Sequence, residues 1–189
     1  AVYKDHVTKS NFTNNRMKVA DYASFKRMVG KISSYEKRPE EIIRNLKNDT
    51  LSIDEMYQRT IAYLRYGSLE KASKDVSSLL IAEPNNPYFY ELAGEIAFAD
   101  RLLPSAINYF DEAYTKSGGP PLIALRLGRV CLSADSSEHY FNAREILEIA
   151  VAGEPKLPFA RREYATALGK TGDLASANLQ LADCLLYTS

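Results

Sequence analysis

Tryptophan is absent from this 189-residue chain, histidine and cysteine occur only twice each, and the formal net charge is zero. Each scarcity excludes something. The two histidines, His6 and His139, lie in no His-Glu-x-x-His sequence and in no spacing that binds zinc from one helix. Cys131 and Cys184 are too few and too far apart for a disulfide framework, and they read as small buried hydrophobes. A neutral chain has no global attraction for nucleic acid or for an anionic membrane surface. No apolar run approaches the ~18 residues of a membrane span, and there is no signal-peptide pattern. Neither a Gly-x-Ser-x-Gly elbow nor a P-loop is present. Gly118-Gly119 runs into Pro120-Pro121 and reads as a turn, not as a phosphate cradle. The carboxylates fall mainly on solvated helix faces. No catalytic residue, no metal ligand and no cofactor site is expected.

What is present is an ordinary globular balance, 46% hydrophobic and 25% charged, enough to bury a core. The charge is unevenly placed. Residues 1–50 carry 11 Lys/Arg against 6 Asp/Glu, and residues 51–189 carry 13 against 18. A basic helical leader docking on an acidic remainder is one reading, and a basic surface for a separate partner is the other.

The strongest signal is a spacing. Ala72, Ala106, Ala143 and Ala177 recur at steps of 34, 37 and 34. Thr60, Gly94, Gly128 and Ala165 step by 34, 34 and 37. Two independent small-residue registers with one period of about 34 point to a tetratricopeptide (TPR) array. The predicted fold class is all-α, a TPR-type solenoid of about four helical hairpins preceded by two or three N-terminal helices. Residues 1–13 read as an arm or linker from an upstream domain, 14–50 as the basic helical segment and 51–189 as the array. Its repeats cover about 53–86, 87–120, 121–157 and 158–189.

Helix pairs are expected at about 53–66 and 69–82, 87–100 and 103–116, 121–134 and 139–152, and 158–171 and 173–186. Gly67, Pro84-Asn85-Asn86-Pro87, Pro155 and Gly172 punctuate them. In the leader, Met17, Ala20, Phe25, Met28, Val29 and Ile32 follow a helical period to about Glu36, and Pro39-Glu40-Glu41 reads as a second helix start. The three extra residues of repeat 3 are expected to enlarge the turn around Asp135-Ser136-Ser137, where insertions cost little.

The small residues let the two helices of a repeat approach closely. Glycine in mid-helix costs about 1 kcal/mol against alanine, so two of them in register imply a packing gain. Tyr63, Ala97, Cys131 and Leu168 fill the next inward position of the first helix. Val76, Phe110, Leu147 and Leu181 fill the inward position of the second. Leu79, Ala113, Ala150 and Cys184 face the following repeat. Tyr90-x-x-Ala93-Gly94, Ala106, Phe110 and Ala113 reproduce the TPR consensus layout of large and small residues.

In TPR proteins the first helix of each repeat lines a concave groove that holds another protein. Carried onto this chain, that groove takes Tyr57, Ile61, Leu64 and Arg65 from repeat 1 and Tyr88, Glu91, Glu95 and Phe98 from repeat 2. Repeat 3 contributes Leu125, Arg129 and Leu132, and repeat 4 contributes Arg162 and Lys170. Aromatics, acids and arginines together suit a protein or peptide partner. The Lys/Asn pattern of chaperone-type carboxylate clamps is not visible. The apolar end around Leu179, Leu181, Leu185 and Leu186 calls for a cover, either a further C-terminal helix or a second copy in a homo-oligomer.

A closer likeness is carried by Asp5-His6-Val7 to Arg16-Met17, Phe25-Lys26-Arg27-Met28, Tyr57 to Tyr63, Gly67 to Ala72 and Glu83 to Leu92. Across nearly its whole length the chain resembles the region that follows the catalytic domain in bacterial M48-type zinc metalloproteases with a C-terminal TPR domain. His6-Val7 departs from the His-Pro usual there. The resemblance implies a periplasmic role in envelope quality control and outer-membrane assembly, with zinc held only by an upstream protease domain. This segment would recruit substrates or assembly partners, and His6 would contact the protease domain. The alternative is a stand-alone TPR adaptor or scaffold with no enzyme attached, which would be cytoplasmic.

Overall fold

The computed structural model describes residues 19–48 and 50–186, and these are all-helical. Three helices come first: α1 (Val19–Glu36), α2 (Pro39–Asn45) and α3 (Ile53–Tyr66). Seven follow: α4 (Leu69–Ala82), α5 (Pro87–Ala99), α6 (Leu103–Lys116), α7 (Pro121–Ser133), α8 (Ser137–Gly153), α9 (Pro158–Lys170) and α10 (Leu174–Leu186). The chain divides after Tyr66 into two compact units, between the two helices expected to form repeat 1. The arm at 1–13 and the expected helix start near residue 14 lie outside the described residues, as does His6.

In the first unit α3 packs against both α1 and α2. Arg27 of α1 approaches Asp54 of α3 at 3.5 Å. Arg59 donates to the carbonyls of Leu46 and Asn48 at 3.1 and 3.4 Å, tying the loop after α2 to α3. Within this unit the basic leader therefore meets an acid of the helix it packs on.

In the second unit each helix from α4 to α10 packs on its neighbours in sequence, and α7 also touches α9. This is the TPR-type solenoid, built by antiparallel helical hairpins. Local chemistry marks the helix ends. Pro87, Pro121 and Pro158 open α5, α7 and α9, where a missing N–H costs nothing. A left-handed residue closes the first helix of each repeat: Gly67 (φ 83°), Arg101 (62°), Asp135 (49°) and Gly172 (89°). These four form a third register, in step with the two small-residue ones.

The predicted packing positions are buried at Ala72, Ala106, Ala143, Ala177, Thr60, Gly94, Gly128 and Ala165. The glycines serve a specific contact. A Cβ on Gly94 would stand 2.9 Å from the ring of Phe110, and one on Gly128 would stand 2.4 Å from Leu147 Cγ. Each glycine thus receives the large inward side chain of its partner helix. Leu181, their counterpart in repeat 4, is exposed instead. Leu181 lies on α10, the last described helix, which packs on α9, so no following described helix covers it. Cys131 and Cys184 are free and buried.

The expected enlarged turn in repeat 3 is not found. Three residues, 134–136, join α7 to α8, just as 100–102 join α5 to α6. The three extra residues are helical and give α8 17 residues against 14 in α6. The sequence explains why. Ser136 is extended (φ −131°, ψ 152°) and its hydroxyl accepts from His139 N at 3.3 Å, so an N-cap sits at the front of the insertion. An added turn of capped helix satisfies its own backbone, which an added loop does not.

Candidate protein-binding groove

Helices α5, α7 and α9 are the first helices of repeats 2, 3 and 4, and they place the candidate groove in the second unit. Each begins Pro-x, and the second residue is a large exposed side chain: Tyr88, Leu122 and Phe159. These three share one register and form an apolar rim. Only Tyr88 stood out in the sequence, because Leu122 and Phe159 are not conspicuous until the prolines are aligned.

The charges behind that rim are already partnered. Glu91 is buried and Glu95 half-buried on one face of α5, at i and i+4. Arg126 of α7 reaches both: Nε lies 3.4 Å from Glu91 Oε1, and Nη1 donates to Glu95 Oε1. A buried carboxylate needs such a partner, since desolvation otherwise drives it to neutralise. Arg126 was not foreseen. The signal was there in the two carboxylates, which demand a cation from the neighbouring helix.

One turn further along α7, the guanidinium of Arg129 lies over the ring of Phe98 from α5 and the ring of Phe159 from α9. A guanidinium over a ring face is held by the quadrupole, and its N–H edge stays open. Beside it Glu163 is half-buried. Burial pushes the Glu163 carboxyl above its ordinary range, with Arg129 and Arg162 opposing the shift. Arg162 itself is exposed. Leu125 is buried and Leu132 half-buried, so they form floor more than contact surface.

The remaining predicted positions lie elsewhere. Tyr57 and Ile61 are 2% and 1% exposed, so neither can offer surface to a partner. They lie on α3, which packs against both α1 and α2, and these positions are covered. Leu64 is half-buried. Arg65 donates to the carbonyls of Ser34 and Lys37 and stacks over Tyr35, fixing the end of α1. Lys170 stands at the last turn of α9, 3.6 Å from Asp135 and over the ring of Tyr140. It belongs to the α7–α8 turn, and its partners hold its pKa above the ordinary lysine value, the Tyr140 hydroxyl most of all.

Among the described residues no group of three or more His, Cys, Asp or Glu side chains converges to hold a metal ion. None of the described helices is long and apolar enough to cross a membrane. His139 lies half-buried in the α8 cap, Nδ1 2.5 Å from Ser136 Oγ.

No protein-family model and no curated protein matches this sequence. Solved structures do match in fold. MamA (residues 41 to the end) from Desulfovibrio magneticus RS-1 superposes with a TM-score of 0.74 at 16% identity, over 89% of this chain and 96% of that one. A MamA structure designated AMB-1 gives 0.73 at 15% identity, over 87% and 98%. One designated MSR-1 gives 0.71 at 15%, over 87% and 95%. At this identity the likeness establishes the TPR-type all-helical fold.

Proposed function

We propose that this chain is a non-catalytic TPR-type scaffold that holds a protein or peptide segment in the groove of α5, α7 and α9. The observation that carries this reading is the rim of Tyr88, Leu122 and Phe159, one exposed apolar side chain per repeat. Behind it Arg126 and the two carboxylates it reaches, and Arg129 between its two rings, are fixed before any ligand arrives. Pre-organised aromatic and arginine side chains lose little entropy on binding, which is the character of interface hot spots. As a stand-alone adaptor it would act in protein assembly, in the cytoplasm, and would need no cofactor.

The resemblance of the sequence to M48-type proteases suggests a second reading, in which the same groove recruits substrates to an upstream zinc protease in the periplasm. His6 would then face the protease domain. The gene's upstream sequence separates the two: a His-Glu-x-x-His helix supports the protease reading. Both readings require the groove. A photocrosslinking amino acid placed at Leu122 should capture a partner polypeptide in the native cell, and the same probe at exposed Glu154 should not. Equal capture from both positions, or none from Leu122, would remove the groove as the working surface.

A further inference from the structure

The face formed by the second helices of the repeats carries a different surface. A cleft of about 360 Å³ opens between α6 and α8, floored by α7. Its floor and inner walls are apolar, from Leu127, Cys131, Ile107 and Ile146. Its charged lining residues are Asp111 and Glu145, and no Lys or Arg lines it. Cys131 is 3% exposed, and burial, then the charge of Asp111, push its thiol up to about 11, so the carboxylate is near enough to be felt.

Several acids elsewhere in the second unit meet cations: Glu91 and Glu95 meet Arg126, Asp173 meets Arg144 and Asp183 meets Arg161. Among the described residues no ion pair reaches Asp111 or Glu145. Along α8 the exposed residues Phe141, Glu145 and Ile149 stand at i, i+4 and i+8, an apolar–acidic–apolar stripe whose last two members line the cleft. Phe141 is 56% and Ile149 43% exposed, although both are large and apolar.

We propose that this cleft docks a helix of a second protein that presents a Lys or Arg between aliphatic residues spaced four apart. The aliphatic side chains cover Phe141, Ile149 and the apolar floor, and the cation lies between Asp111 and Glu145. This docking is independent of the groove on α5, α7 and α9, so the chain joins two different partners on its two faces.

The test uses the full chain and a synthetic amphipathic helix of Leu and Lys, about 18 residues or five turns long. Its counterpart of Leu and Glu is the control. Binding is read by calorimetry and located by amide shifts in nitrogen-labelled protein. The Leu/Lys helix should bind, shift the amides of Ile107, Leu127, Ile146 and Ile149, and lose at least about fivefold in affinity to the double variant Asp111→Asn, Glu145→Gln. Ile149→Ser should weaken it separately, and Phe159→Ala in the groove should leave it unchanged. Equal binding of the Leu/Glu helix, shifts confined to α5 and α9, or an unaffected double variant would each overturn the proposal.

Discussion

Arg129 on α7 holds its guanidinium 5.4 Å from the ring centroid of Phe98 on α5 and 5.7 Å from that of Phe159 on α9. One side chain thereby links the first helices of three successive repeats. Arg129→Ala should lower stability by about 0.5–2 kcal/mol, the range for a partly exposed cation–π contact. A double-mutant cycle with Phe98→Leu, followed by urea denaturation, should return a coupling of about 0.5–1 kcal/mol. Strict additivity would show that the stacking contributes nothing.

Gly128→Ala sets two effects of known sign against each other. Helix propensity favours alanine by about 1 kcal/mol. The new methyl would stand 2.4 Å from Leu147 Cγ, in a core where Leu147 is fully buried. Overpacking of that kind costs about 1–3 kcal/mol. The variant should therefore melt lower than the wild type. The same change at Gly169, whose Cβ would meet nothing within 4 Å, should melt the same or higher.

Arg101 occupies a left-handed position that Gly67 and Gly172 fill in repeats 1 and 4. A non-glycine residue loses roughly 1–2 kcal/mol there, partly offset by the greater chain entropy of glycine when unfolded. Arg101→Gly should stabilise the protein by about 0.5–1 kcal/mol. Asp135→Gly should bring no such gain, because it also removes the acceptor of the Tyr140 hydroxyl and the partner of Lys170. Chemical denaturation of the two variants side by side distinguishes them.

Arg126→Met keeps the stem of the side chain and removes its charge. It removes a charged partner of Glu91, which is 7% exposed, and should cost about 1–3 kcal/mol. Adding Glu91→Gln should restore part of the loss. If the double variant is no more stable than Arg126→Met alone, the ion pair is not what Arg126 supplies.

Glu163 makes a pH prediction whose sign is opposite to that of a salt-bridged acid. Burial raises its folded-state pKa above the ordinary carboxylate value, so the folded state holds the proton more tightly than the unfolded one. Its contribution to stability is full below the unfolded pKa and falls as pH rises through the folded pKa. Glu163→Gln should therefore gain stability over the wild type near neutral pH, and the gain should vanish below about pH 4. Thermal melts of both proteins from acid to neutral pH measure the difference.

The solenoid was legible in the sequence because its constraints repeat. Small residues at 72, 106, 143 and 177 must recur wherever two helices touch, and the prolines at 87, 121 and 158 must recur wherever a first helix begins. The helix bounds consequently follow the punctuation to within two residues at every end from α3 onward. The left-handed register was half hidden, since Arg101 and Asp135 occupy positions where glycine would have announced itself. The groove was less legible. Position along a repeat identifies which residues can face it, and so it points to Glu91, Glu95, Phe98 and Arg129. It does not say which of those are bonded to one another, because Arg126 acts across two helices and pairs of that kind leave no local pattern. Tyr57 and Ile61 were misplaced because position within the repeat does not report what covers α3.

The 17-residue α8 has a consequence for how this architecture changes length. Residues added in mid-helix would turn every later side chain by about 100° each and carry its buried stripe away from α7 and α9. Added ahead of Phe141, behind a serine cap, three residues extend the helix by about 4.5 Å and rotate nothing downstream. Ala143, Leu147 and Ala150 keep their places in the core. The leading end of a repeat's second helix is thus a terminus at which the array can lengthen while the packed middle stays in phase, and here that end lies next to the contacts of Asp135 and Tyr140 with Lys170.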